Sequence, residues 1–256
     1  MTAALDALPM GAGVGIAALL GLILGSFIAT LVLRWPDGRS VLGRSHCDGC
    51  KRALGPLDLV PLVSALVQHG RCPTCGAPID PFHMQVELAS GLIGALTLTI
   101  MPGIGGWLWA LFGWLLLPLA LLDARHMWLP DRLNAMLAAA GLLLAGPMLG
   151  TGLFDRWIGA IAGGALLALI ALAYRRGRGR DGMGGGDPKL VAAIGCWLGW
   201  QALPLMILLA SGTGLVWAFF TQGKGDRPLI LQTVPFGVFL AVAAWAAVPL
   251  WPLLAG

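Results

Sequence analysis

The chain has 256 residues, of which 58% are hydrophobic and only 11% charged. A soluble domain carries about 25% charged residues, so this chain, with a mean hydropathy of +0.84, has too little polar material to coat a water-soluble particle and reads as an integral membrane protein. The net charge of +4 would allow a nucleic-acid partner, but the placement of the basic residues argues for a different cause.

The first nine residues hold no Lys or Arg and one acid, Asp6, which does not read as a cleavable signal peptide. A helix needs about 20 apolar residues to cross a bilayer core. The first such run covers about 11–33 and is followed by a polar segment, 34–85. Runs at about 86–101 and 107–122 come next, split by the turn signal Pro102-Gly103. Beyond a break at 123–131 stand runs at about 133–149 and 157–174, then a basic, Gly-rich loop at 175–188. Runs at about 190–199, 203–220 and 231–250 complete the chain. The expected fold is therefore all-α, a polytopic transmembrane helix bundle of about eight spans. The run at 190–199 is too short to cross alone at about 1.5 Å per residue, so it must be extended or sit in a protein-lined place.

With eight spans and the N-terminus outside, fifteen of the sixteen Lys and Arg fall in the inner loops 34–85, 123–132, 175–189 and 221–230, and only Arg156 falls outside. Positive residues stay on the cytoplasmic side, so the basic excess is a topology signal and a contact for anionic lipid, not a nucleic-acid surface. Trp35, Trp107, Trp128 and Trp251 stand near span ends and read as interfacial anchors.

The first inner loop carries Cys47 and Cys50 in one CxxC pair and Cys72 and Cys75 in another, with 21 residues between the pairs. Two thiolates on a tight turn chelate one ion, and a second such turn completes a tetrahedron, the pattern of a structural zinc site. Two disulfides or a redox pair are the alternatives, disfavoured in a reducing cytoplasm. His46 and His83 could substitute as ligands. Four sulfur ligands leave no open position for substrate, and metal would supply folding energy to a loop without a large core. Cys196, inside an apolar run, reads as a small buried residue.

Carboxylates at the edge of a span are costly and are functional hypotheses by default. Asp123, Asp131 and Asp187 lie at inner span ends, and Glu87 starts the second span. Asp123 ends an apolar helix, where the helix dipole disfavours a negative charge. Asp131 follows Pro130 and reads as an ordinary helix start. Asp187 also opens a helix, with Pro188 at a first helical position. Asp123 and Asp187 share one level on different helices. Two carboxylates brought close cannot both ionise readily, so the pair becomes an acid and a base able to set water on a peptide carbonyl. Gly184, Gly185 and Gly186 would admit an extended substrate backbone. There is no GxxxxGK[ST], GxSxG or HExxH in the chain, and Ser26 and Ser64 have no local base partner.

These residues, taken together, resemble the prepilin peptidases of type IV pilus and type II secretion systems, membrane aspartic proteases named for a Gly-x-Gly-Asp motif. GSFIATLVLR at 25–34 is similar to the family's first-span motif, with Ala29 where Asn is usual. The two CxxC pairs, with PLVS at 61–64 and GRCPTCGAPI at 70–79, match its cytoplasmic zinc loop. Asp123 with LPD at 129–131, the glycines with Asp187 and Lys189, and PFGVFL at 235–240 resemble the remaining motifs. The resemblance implies that Asp123 and Asp187 form the catalytic dyad, supported by Gly184, Gly185, Gly186, Lys189 and Asp131. It implies a multi-pass protein of the bacterial inner membrane, with its site facing the cytoplasm. Its substrate would be a prepilin or pseudopilin with a basic leader. It also implies N-methylation of the new terminus using S-adenosylmethionine, with Glu87 the candidate residue, although FHMQVE at 82–87 keeps only Val86 and Glu87 of the usual Arg-Tyr-Pro-Leu-Val-Glu. The implied organisation is a first span in 1–33, a zinc-binding loop in 34–85 and the protease bundle in 86–256. A membrane transporter or metal sensor, with the aspartates in an ion path near the bilayer midplane, is the rival reading. A non-enzymatic scaffold is the third.

Overall fold

The computed structural model of the chain describes residues 9–47, 49–179, 182–221 and 234–255. Residues 1–8, Arg180, the loop with Lys224 and Arg227, and the expected start of the last span at 231–233 lie outside the described residues. Among the described residues all regular elements are helical, apart from two isolated β-bridges. The chain divides into two compact units, Met1–Trp114 and Leu115–Gly256.

In the first unit, helix α1 (Met10–Arg34) packs along α3 (Pro81–Ile100), and the loop between them carries a 3-10 turn (Pro56–Leu59) and the short α2 (Val63–Val67). Gly13, Ala17, Gly21 and Gly25 recur every fourth residue on the buried face of α1. Small residues let membrane helices approach backbone to backbone. The contact needs them here: a methyl at Gly25 would stand 2.6 Å from the Glu87 Cα, and one at Gly21 would run into the Ser90 carbonyl. The α3 helix starts five residues before the apolar run, because Asp80 caps it by accepting the Phe82 N–H at 2.9 Å and Pro81 takes a first-turn position. Trp114, in the first part of α4 (Ile104–His126), donates its indole N–H to the Ser90 carbonyl at 2.9 Å.

In the second unit the rest of α4 is followed by α5 (Asp131–Leu144), α6 (Gly146–Leu149), α7 (Leu153–Arg178), α8 (Asp187–Leu198), α9 (Leu203–Thr221) and α10 (Phe236–Ala255). The run expected as one helix at 133–149 breaks at Ala145, before Pro147. Arg156, the one basic residue assigned to the outer side, is buried there. Its guanidinium donates to the Gly141 and Leu142 carbonyls at 2.9 and 3.1 Å, closing the C-terminal end of α5.

Among the described residues five helices, α1, α4, α7, α9 and α10, are long and apolar enough to cross a membrane. The other three expected spans form α3 with 20 residues, α5 with 14 and α8 with 12. The short α8 fits the protein-lined alternative, since among its residues only Lys189 is exposed. It packs so close to α7 that a methyl at Gly195 would run into the Gly159 carbonyl.

Candidate active site and metal centre

The cysteine loop is two copies of one turn. The Cys47 N–H donates to the Arg52 carbonyl at 2.9 Å and the Lys51 N–H to the Cys47 carbonyl at 2.9 Å. The Cys72 N–H donates to the Ala77 carbonyl at 2.8 Å and the Gly76 N–H to the Cys72 carbonyl at 2.9 Å. Each turn is closed by one bridge, His46 with Ala53 and Arg71 with Pro78. The residue after each second cysteine is left-handed, Lys51 at φ 59° and Gly76 at φ 71°. The two turns bring all four sulfurs within 4.8 Å of one another. Cys47 and Cys75 Sγ are 3.7 Å apart, close to the roughly 3.8 Å edge of a tetrahedron with about 2.3 Å metal–sulfur bonds. The four cysteines therefore fit a tetrahedral ion. All four are free thiols, and neither His46 nor His83 belongs to the cluster. The backbone N–H groups of Cys75 and Thr74 hold the Cys72 thiol down to about 6. At Cys75 the Ala77 N–H is outweighed by burial and the neighbouring cysteines, which push the thiol up to about 11, so the thiolate is favoured at Cys72 first.

A second organiser of this loop is Asp58. It accepts from the Gly55 N–H at 2.9 Å, from Arg52 at 3.0 Å and from Gln68 at 2.9 Å. Glu87 is also tied to the loop, accepting the Leu62 N–H at 2.9 Å. It is buried, and it lines a cavity of about 820 Å³ whose walls include Ser26, Thr30, His46, His83 and Met84.

The second unit holds Asp123 and Asp187, each only 5% exposed. Asp123 sits in the last turn of α4, the negative end of its own helix. Another helix offsets this: at the N-terminus of α10 the Val238 N–H donates to Asp123 Oδ2 at 3.2 Å. A methyl at Gly237 would stand 2.8 Å from the same oxygen, so only glycine lets the α10 backbone come this close. Leu129 packs between the two loops, since a methyl at Gly237 would meet its Cδ1 at 3.1 Å and one at Gly186 its Cβ at 2.7 Å. Asp187 stands three residues ahead of the apolar run that begins at Leu190. Burial first, and the charge of Asp123 second, push its carboxyl up to about 7. Two buried carboxylates in electrostatic reach of each other do not both ionise readily.

The three glycines differ. Gly186 is required by Leu129, a methyl at Gly184 would stand 3.3 Å from Asp187 Oδ2, and Gly185 faces open space. Lys189 and Asp131 meet each other at 2.7 Å and are exposed, joining the heads of α5 and α8. Sequence reasoning did not find the roles of Gly237 and Val238, the Asp58 hub or the Arg156 cap. The PFG that opens α10 was the available sign of the first. Both aspartates stand at helix ends, not mid-helix, unlike the carboxylates of a midplane ion path.

These observations define an all-helical membrane protein with a four-cysteine cluster that could hold a metal ion and a buried carboxylate pair. The bacterial Peptidase A24 N-terminal domain matches residues 19–101, and the type IV leader peptidase family matches residues 110–219. A prepilin leader peptidase/N-methyltransferase of Aeromonas hydrophila is 40% identical over 226 residues, covering 84% of this chain and 74% of that protein. Proteins of the same description from Burkholderia pseudomallei (strain K96243) and Pseudomonas aeruginosa are 35% and 34% identical, covering 99% and 91% of this chain and 92% and 88% of theirs. No solved structure matches significantly. The chain belongs to the type IV leader peptidase family.

Proposed function

We propose that this chain is an aspartic endopeptidase of the bacterial inner membrane that cuts the basic leader from type IV prepilins or type II secretion pseudopilins at the cytoplasmic face. The observation that carries this reading is the buried pair of Asp123 and Asp187 at helix ends, with Asp123 held by the Val238 N–H. In the proposed reaction Asp123, oriented by the Val238 N–H, takes a proton from the attacking water. Asp187 gives its proton to the carbonyl oxygen, forming a gem-diol; as the C–N bond breaks, Asp123 passes its proton to the leaving amine nitrogen and Asp187 takes one back from a diol hydroxyl. The open space at Gly185 leaves room for the peptide backbone, and the Lys189–Asp131 pair holds the loop from outside. Cys47, Cys50, Cys72 and Cys75 would hold a zinc ion that stabilises the loop and takes no part in bond breaking. Prepilin cleavage by purified Asp123→Ala and Asp187→Ala tests the reading. Each should lose about 10²–10⁴-fold in rate, and full cleavage by either would overturn it.

The buried carboxylate of Glu87 beside a large cavity of mixed polar and apolar lining favours a second activity at the first unit, methyl transfer to the new N-terminus. S-adenosylmethionine would supply the methyl group, and Glu87 would orient the accepting amine. Glu87→Gln, which still accepts the Leu62 N–H, should spare cleavage and abolish methylation. An unchanged mass gain at the new N-terminus would refute this role.

A further inference from the structure

Asn134 is 4% exposed, and neither Nδ2 nor Oδ1 of its side chain has a partner in the protein. An amide offers two donors and an acceptor, and leaving all of them buried and unused in an apolar bundle is destabilising. In a segment reading DRLNAMLAAAGLLL, a leucine would fill the position without that cost.

Its place in the fold gives the amide a use. Asn134, Leu137 and Gly141 form the buried stripe of α5. The stripe faces α8: the Leu137 carbonyl accepts the Trp197 indole N–H at 2.8 Å, and a methyl at Gly141 would stand 2.6 Å from Trp197 Cδ1. At the other end Asp131 meets Lys189. The two helices therefore run parallel with their heads together. Asn134 lies on this stripe between these two contacts, about one helical turn inward from Asp131. The buried charged group at the head of α8 is Asp187. Buried waters sit where otherwise unsatisfied polar groups can each give them a hydrogen bond, about three per water.

We propose that Asn134 is a positioning residue for Asp187, its amide anchoring a buried water that hydrogen-bonds onward to the Asp187 carboxyl and fixes its orientation. The proposal rests on the reading of Asp123 and Asp187 as the cleaving pair. The test compares Asn134→Leu, which keeps the shape and removes both polar groups, with Asn134→Ser, which keeps a hydroxyl and leaves room for the water. Prepilin cleavage by Asn134→Leu should fall at least about tenfold in kcat with KM nearly unchanged, its thermal midpoint no lower than that of the parent. Asn134→Ser should recover most of kcat. Wild-type kcat in Asn134→Leu, or a Ser variant as impaired as the Leu variant, would overturn the proposal. If Asn134→Leu does not accumulate, Asn134→Ala takes its place under the same criteria. Asp123→Ala separates the two readings: if it cleaves, the pair itself falls, and if it is dead while Asn134→Leu is normal, this inference alone falls.

Discussion

In the cysteine loop the polar groups serve one another through contacts close in sequence: each turn closes within eight residues, and Asp58 gathers Gly55, Arg52 and Gln68. In the carboxylate site the partners come from far apart, Asp123 and Val238 being 115 residues distant. The loop keeps its chemistry at the surface and draws its order from local hydrogen bonds, to which a cation at the four sulfurs would add. The site buries two acids and draws its order from helix ends and glycine contacts. Metal removal should therefore loosen the first without touching side chains of the second, and a single methyl should damage the second without touching the metal.

The largest effect expected is at the loop. Cys72→Ser, or a strong chelator, should remove about one zinc per chain and open 34–80 to protease, because binding energy in such sites is folding energy. A loop that stays resistant without metal would show that its hydrogen bonds suffice. Next comes Gly237→Ala, whose added methyl 2.8 Å from Asp123 Oδ2 should lower prepilin cleavage by about 10–100-fold with zinc content unchanged. Loss of zinc in that variant would break the comparison.

A pH series sharpens it further. The proton on Asp187 is present below about 7 and lost above it, so cleavage should decline as pH rises through 7. The same raised value makes the folded state lose stability between the unfolded carboxyl's value, about 4, and 7, because the unfolded chain ionises first. Asp187→Asn should accordingly raise the thermal midpoint more at pH 8 than at pH 5; the reverse order would remove Asp187 as the proton holder. The smallest effect is expected at Gly185→Ala, which meets no atom within 4 Å. Its fold should be unchanged, and any loss of cleavage would report substrate backbone in that space.

The same contrast sets what could be read from the sequence. CxxC spacing is a local signal, and the loop was legible down to the four cysteines that cluster. The fold class followed from composition, and Asp123 and Asp187 from their places at span ends. The cradle for Asp123 was not legible, because PFG and the aspartate meet only through tertiary packing. The break at Ala145 was hidden by an apolar run that continues through Pro147, and Asn134 gave no sign of burial without a partner for α5. The cap at Asp80-Pro81 was readable, but the apolar boundary at Val86 outweighed it.

The helix that carries Asp187 shows almost no side chain to its surroundings, and glycine contacts seat it against α7. Lipid acyl chains thus meet its neighbours and not the mount of the carboxyl itself. Bilayer thickness and composition should therefore reach Asp187 chiefly through movements of the helices around it. Rates in micelles and in vesicles of different chain length should accordingly differ little for the bond-breaking step.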